Sequence, residues 1–326
     1  MKFPPIYTKN QQINTLLTEL DVLKKAFELI TPAKQTLTYL RRASHLKSSL
    51  YSARIEGNPL ELHDVSDTPI DISGSIHKQE IANILKAMST IDQISTIVVD
   101  IPFLLSLHKD VLNEISSSAG KLRIEESAIF NQAGIAVYLA PAPQSISPLL
   151  DELCRFCTSE NDPIPIKAAI SHIWFEKIHP FVDGNGRVGR LLSLAILKTA
   201  GYDFGGIVPI EEYIESHRQE YYDVLGKDIQ DVTPFIEYYL TAIVSQANKS
   251  LVEINNPVPK HRAELLPRRA ELLDIIKDHK TVTFDFLTRR FRAIPTSTLH
   301  YDLIQLIKKG YIIKLGSTRG TLYAIK

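Results

Sequence analysis

Cysteine is nearly absent, with two in 326 residues, and that leaves no material for a disulfide-stapled scaffold. Both fall in "DELCRFC", as Cys154 and Cys157. A redox Cys-x-x-Cys would need a strand before it and a helix after it. Here the pair lies late in an apparent helix, and no second pair exists to complete a zinc site. Packing residues are the expectation. Net charge is also missing, since 37 Lys/Arg balance 37 Asp/Glu, so the chain as a whole argues for no charged partner. The longest apolar runs, such as "LLSLAILKTA", fall far short of a membrane span. The opening "MKFPPIYTKN" has no apolar signal core. A cytoplasmic protein with no membrane partner is therefore expected.

The balance of charge hides an asymmetry. From Lys260 to Lys326 there are 14 Lys/Arg and 6 Asp/Glu, a tail of +8 on a body of −8. Separate tasks are expected, with nucleic acid as the first partner to test for the tail.

Periodicity predicts a mainly α chain. "QQINTLLTELDVLKKAFELI" puts Ile13, Leu16, Leu17, Leu20, Leu23 and Phe27 on one stripe, and Thr31 and Pro32 break it. "RRASHLKSSLYSARIEGNPL" reads as a helix stopped by Gly57 and Pro59. Further helices fit residues 78–91, 102–115, 165–178 and 187–201, then "EEYIESHRQEYYDVL" as one element and "VTPFIEYYLTAIVSQANKSL". "IEESAIF" and "IAVYLA" around "NQAG" predict a β-hairpin. In "PAPQSISPLLDEL", Ser147 is the expected helix cap and Pro148 the first helical residue. "INNPVPK" is the expected linker. Beyond it, three helices, one capped at Thr296, and two strands around "GSTRG" predict a winged helix-turn-helix.

The informative stretch is "HPFVDGNGRVGR", His179 to Arg190. Gly184, Gly186 and Gly189 satisfy the dinucleotide pattern G-x-G-x-x-G, with Asp203 at the matching distance. That fingerprint must follow a strand, and what precedes it has helical spacing. The phosphate-loop pattern fails because no Lys-Ser/Thr follows. The glycines can still present backbone N–H groups as an anion nest opening into a helix. Arg187 and Arg190, three apart, stand at that helix's positive end, where an anion is needed to offset them. Asp183 suits Mg²⁺ and His179 can accept a hydroxyl proton. Together they form a parts list for phosphoryl or nucleotidyl transfer. The competing reading is a Gly-rich linking loop with incidental charges.

The same twelve residues resemble the Fic signature, His-Pro-Phe-x-Asp/Glu-Gly-Asn-Gly-Arg-x-x-Arg, at every defined position. "LHKDVL", "AGKLR", the hairpin, "YLAPAP" and "FEKIHPF" follow the order usual in that family. The resemblance implies a Fic-type helical core with a β-hairpin flap that docks a protein target by strand addition. It implies transfer of AMP from ATP, with Mg²⁺, to a Ser, Thr or Tyr hydroxyl. His179 would be the base and Asp183 the Mg²⁺ ligand. Gly184, Asn185 and Gly186 would hold the α-phosphate, and Arg187 and Arg190 the outer phosphates. Tyr221 and Tyr222 are candidates for the nucleotide pocket, with core packing the safer assignment for at least one. "IVPIEEYI" departs from relatives that carry serine at Glu211. His172, seven residues before His179 and on the same helix face, reads as an interior histidine rather than a zinc ligand.

"SARIEG" resembles the family's inhibitory motif, Ser/Thr-x-x-x-Glu-Gly/Asn, at Ser52, Glu56 and Gly57. The implied pair is Glu56 with Arg190; the alternative is an ordinary helix end. The expected organisation is an N-terminal helical region over 1–75, a Fic catalytic core over 76–250, a linker over 251–263 and a winged helix domain over 264–326. In the tail, Arg289, Arg290, Arg292, Ser297, Thr298, His300, Tyr301 and Arg319 are DNA-binding candidates. Two other functions stay open: a DNA-binding regulator whose Fic-like body senses nucleotide, and a Fic enzyme that removes AMP. Partnership with a second copy as a homo-oligomer stays open too.

Overall fold

The computed structural model describes residues 5–30, 34–65, 70, 72–94, 96–130, 136–159, 161–226, 231–255, 265–291, 294–316 and 321–326. Helix α1 (Gln11–Leu29) starts where Asn10 accepts from the Ile13 N–H at 3.0 Å. It packs its Ile13–Leu20–Leu23 stripe against α10 (Thr233–Asn255). Helix α2 (Lys34–Ile55) is followed by α3 (Ile76–Gln93), capped by Ser75, and α4 (Ile101–Val111), capped by Asp100. A side-chain oxygen at each cap satisfies an N–H that the first helical turn leaves free.

Strands β1 (Ala128–Phe130) and β2 (Ala136–Leu139) pair antiparallel, Ala128 opposite Leu139 and Ile129 opposite Tyr138. They are shorter than the two apolar runs suggest, and "NQAG" lies outside the described residues. Helix α5 (Pro143–Thr158) corrects the expectation at Ser147 and Pro148. Pro143 takes the first helical position and Pro148 lies inside, because either proline suits an early turn and the upstream one comes first.

Helices α6 (Ile164–Ile178) and α7 (Asn185–Lys198) pack against each other at the centre. Every residue of α6 from Pro165 to Ile178 is buried, which is why its sequence has no polar face. Two of its polar side chains find partners: Ser171 with Cys157 Sγ at 3.2 Å, and His172 Nε2 with the Tyr221 hydroxyl at 2.8 Å. Burial pushes the thiols of Cys154 and Cys157 up to about 12 and about 11. Both are free and pack on the core, as expected for a pair without redox work.

The helix expected across 211–225 is two, α8 (Ile210–Ser216) and α9 (Arg218–Gly226). The break is His217, whose ring stacks on Tyr213 at 3.9 Å and meets the Tyr213 carbonyl at 2.9 Å. The His217 N–H shares that carbonyl at 3.0 Å, and the residue leaves helical geometry at φ −117° and ψ 35°.

A second core follows the segment 256–264, which includes most of "INNPVPK" and lies outside the described residues. Helices α11 (Pro267–His279), α12 (Phe284–Arg290) and α13 (Thr296–Lys308) surround Leu272, Leu287, Phe291, Leu299 and Leu303. Pro295, not Thr296, precedes the first turn of α13. Asp302 is fully buried and accepts from Arg268 at 2.5 Å and Arg269 at 2.6 Å. Strands β4 (Ile312–Leu315) and β5 (Leu322–Ile325) form the expected terminal pair. A third strand, β3 (Thr281–Thr283), joins them in the order β3-β5-β4. Three residues are too few to show a period of two, so that strand is not legible beforehand.

Candidate active site

The site is the junction of α6 with α7. His179 ends α6 in a left-handed conformation, φ 48° and ψ 59°, uncommon for a residue other than glycine. Arg123 holds it there. The guanidinium donates to the carbonyls of His179 at 2.7 Å, Glu125 at 2.8 Å and Pro141 at 2.5 Å, and the Arg123 N–H reaches the Pro180 carbonyl. Glu125 and Pro141 flank the two ends of the hairpin, so one buried side chain ties the hairpin's base to the loop. The His179 Nδ1 faces the Glu176 carbonyl at 3.3 Å. Burial holds its imidazole below the usual histidine value, in the neutral form that accepts a proton.

His108 braces the next turn. Its ring lies flat on Phe181, 3.7 Å between centroids at 4°. The Gly120 N–H donates to Nδ1 at 2.9 Å, which leaves the proton on Nε2 for the Asp183 carbonyl at 3.0 Å. Burial depresses this histidine to about 4. Sequence spacing marks His108 only as a helix-stripe residue, and "LHKDVL" and "AGKLR" are the only signals for it and for Arg123.

Each glycine of the loop has its own reason. Gly184 carries φ 81° and opens α7, giving the αL–αR turn of a nest. Gly189 lets the helices close, since a Cβ there would stand 3.0 Å from Glu176 Oε1. At Gly186 a Cβ would be 2.1 Å from Glu56 Oε1. The Glu56 carboxylate thus lies on the first turn of α7, where an anion is favoured.

Glu56 follows the last residue of α2 and accepts from Arg190 at 2.9 Å. Arg190 also donates to the Ser52 hydroxyl and carbonyl, both at 2.8 Å. It is almost fully buried. Arg187 is buried as well, and turns to Glu80 at 2.6 Å and Asp183 at 2.7 Å. The anion that two arginines at a helix start require is therefore supplied three times by this chain's own carboxylates. Sequence spacing names Asp183 and Glu56 but misses Glu80.

The remaining candidates divide. Asn185 spends its amide within the loop, accepting from the Phe181 N–H and donating to the Phe181 carbonyl, both at 2.9 Å. Tyr221 is 1% exposed with its hydroxyl on His172, so as a pocket wall it is corrected to a core residue. Tyr222 is 40% exposed and donates to the Ile55 carbonyl at the end of α2. His172 is interior, held down to about 3 by burial and then by Arg190. Glu211 bonds Ser48, and burial pushes its carboxyl up against the pull of that bond and of Arg190.

In the tail, Ser297, His300 and Tyr301 are exposed on α13 and Thr298 is half-buried. Arg290 is exposed on α12, where Arg289 pairs with Asp285 at 2.6 Å. Arg292 and Arg319 lie outside the described residues. Among the described residues, no three His, Cys, Asp or Glu gather as a metal cage. Among the described residues, no helix is long and apolar enough to cross a membrane.

Residues 98–197 match the Fic/DOC family, and they contain His108, Arg123, the hairpin and the whole loop. The chain carries a Fic-type domain. The Aedes aegypti protein named protein adenylyltransferase Fic is 26% identical over 280 residues, 81% of this chain and 54% of its own length. A Drosophila mojavensis protein of the same name is 29% identical over 234 residues, 68% of this chain and 44% of its own. The chain spans about half the length of the curated relatives it matches. A Fic family protein from Desulfovibrio desulfuricans G20, solved by crystallography, shares the fold across both cores. Its TM-score is 0.70, with 23% identity, 99% of this chain and 98% of that one covered. The matched residues thus cover α4 to α7 with the hairpin between them.

Proposed function

We propose that this chain is an autoinhibited protein adenylyltransferase, moving AMP from ATP to a hydroxyl side chain of a protein target. The observation that carries the reading is Glu56. Its carboxylate rests over Gly186 and holds Arg190, at the one position where backbone, helix end and arginine converge on an anion. A carboxylate there stands in for a phosphate.

In the active arrangement the target hydroxyl loses its proton to His179 as its oxygen attacks the α-phosphorus, and pyrophosphate leaves. The N–H groups of Gly184 to Gly186 stabilise charge on the α-phosphate, and Arg190, released from Glu56, orients the outer phosphates. Asp183 has a side chain 60% exposed and is a lone hard-oxygen donor. That suits Mg²⁺ shared between one carboxylate and substrate phosphates. Bound there, Mg²⁺ would offset phosphate charge. A target segment would pair with the β1–β2 flap.

Intact-mass measurement after incubation with ATP and Mg²⁺ tests this. The Glu56→Gly chain should gain AMP on itself or on an added target, and the Glu56→Gly/His179→Ala chain should gain none. Absence of AMP transfer from Glu56→Gly to any protein in a proteome lysate would overturn the reading.

For the second core we propose a winged helix that binds duplex DNA. The exposed polar side chains of Ser297 and His300 on α13 and the +8 tail support it. Binding by the full chain should fall steeply with salt, and no binding at low salt would assign that surface to protein contacts.

A further inference from the structure

The turn that ends α2 reaches both arginines of the loop, not only Arg190. Two residues beyond Glu56, Asn58 is buried and donates from Nδ2 to Glu80 Oε2 at 2.7 Å and to the His77 carbonyl at 3.0 Å. Its Oδ1 accepts from the Leu60 N–H at 3.1 Å, so the amide orientation is fixed. The other oxygen of Glu80 accepts from Arg187 Nη1 at 2.6 Å, and Arg187 Nη2 donates to Asp183 at 2.7 Å.

These two carboxylates are not equivalent. The Asp183 side chain is 60% exposed, whereas that of Glu80 is 14% exposed and braced by Asn58. When Asp183 turns to another ligand, Arg187 keeps Glu80. Nη2 then comes free while Nη1 stays anchored. A guanidinium fixed at one nitrogen presents the next in a set direction, which is the advantage of its planar fork. Without Glu80, a buried Arg187 would follow Asp183 or lose its orientation.

We propose that Glu80 is a positioning residue that aims Arg187 at the outer phosphates of the nucleotide, and that Asn58 ties this aim to the turn carrying Glu56. The inference rests on the adenylyltransferase reading. It makes the α2 turn a joint holder of both arginines: directly at Arg190, and through Glu80 at Arg187. Movement that lifts Glu56 from Gly186 also moves the donor that steadies Glu80.

The test is equilibrium binding of Mg-ATP and of AMP by calorimetry. It uses the full chain as Glu56→Gly, and the same chain carrying Glu80→Gln or Asn58→Ala. Glu80→Gln should weaken ATP about tenfold, the worth of one charge-assisted contact, and leave AMP within about twofold. Asn58→Ala should weaken ATP in the same selective way, by a smaller factor. Equal loss for both nucleotides, or no loss for either, overturns the positioning role. Should Glu80→Gln fail to fold, Asn58→Ala decides by the same ATP-to-AMP ratio. If the Glu56→Gly chain itself shows no preference for ATP over AMP, the nucleotide reading fails and the inference falls with it.

Discussion

Gly186 and Glu56 compete for one volume: a methyl group on the first would stand 2.1 Å from Oε1 of the second. Gly186→Ala should therefore destabilise the parent chain, because Glu56 must leave a buried guanidinium to make room. The same change in the Glu56→Gly chain should cost much less. Thermal denaturation of the four chains reads the coupling directly. Equal losses in both backgrounds would mean that the carboxylate does not rest on the α7 turn in solution.

Removing the carboxylate should release catalysis. On the proposed function, ATP would bind with its α-phosphate misaligned while Arg190 is committed to Glu56, and errors of that kind cost about 10²-fold. Glu56→Gly should raise AMP transfer by roughly that factor, with a smaller effect on nucleotide affinity. Adding Arg190→Ala should reverse the gain. Parent and Glu56→Gly transferring at the same rate would make "SARIEG" an ordinary helix end.

Acidification should switch the reaction off through His179. Burial lowers its pKa below 6.5, so the neutral base is present above the lowered value and is lost as pH falls through it. In the Glu56→Gly chain the acid limb of the rate profile should lie below pH 6.5, and His179→Ala should abolish transfer while ATP still binds. A limb centred above 6.5 would contradict a buried neutral imidazole.

Glu176 links pH to stability in the opposite sense. Burial, and then the neighbouring Glu56, push its carboxyl up to about 8, above its unfolded value. The folded state then holds a proton that the unfolded state has released. Its contribution is fully present below about 4.5 and lost as pH rises through about 8. Glu176→Gln should raise the melting temperature by about 2 °C or more at pH 9 and change it little at pH 5. An unchanged melting temperature at pH 9 would show Glu176 ionised without penalty.

The legible part of this protein is whatever repeats or whatever is covalently contiguous. Helices with one apolar stripe, such as α1, announce themselves. The loop from His179 to Arg190 is twelve consecutive residues whose chemistry is complete in the sequence. Glu56 is legible only because six residues around it have a recognisable spacing. His108 and Arg123 show only through "LHKDVL" and "AGKLR", and Glu80 and Asn58 not at all. The first two act on backbone carbonyls distant in the chain, which leave no letter in a sequence, and the last two on partners 107 and 22 residues away. Spacing also misleads at the loop itself. Arg187 and Arg190 share a helix face, yet one turns to α3 and the other to α2, since long side chains follow their counter-ions.

The Arg123 fork has a mechanical consequence. It fastens the hairpin's two ends to the carbonyl of His179, so the strand ladder and the His179 ring keep one fixed spacing. An extended segment laid along that ladder would be measured by it. Strand side chains alternate between faces. A shift of one residue would turn a hydroxyl away from the ring, and a shift of two would carry it past. Selection among neighbouring serines, threonines and tyrosines would then be a matter of counting along the backbone from the hairpin, with Arg123 setting the origin.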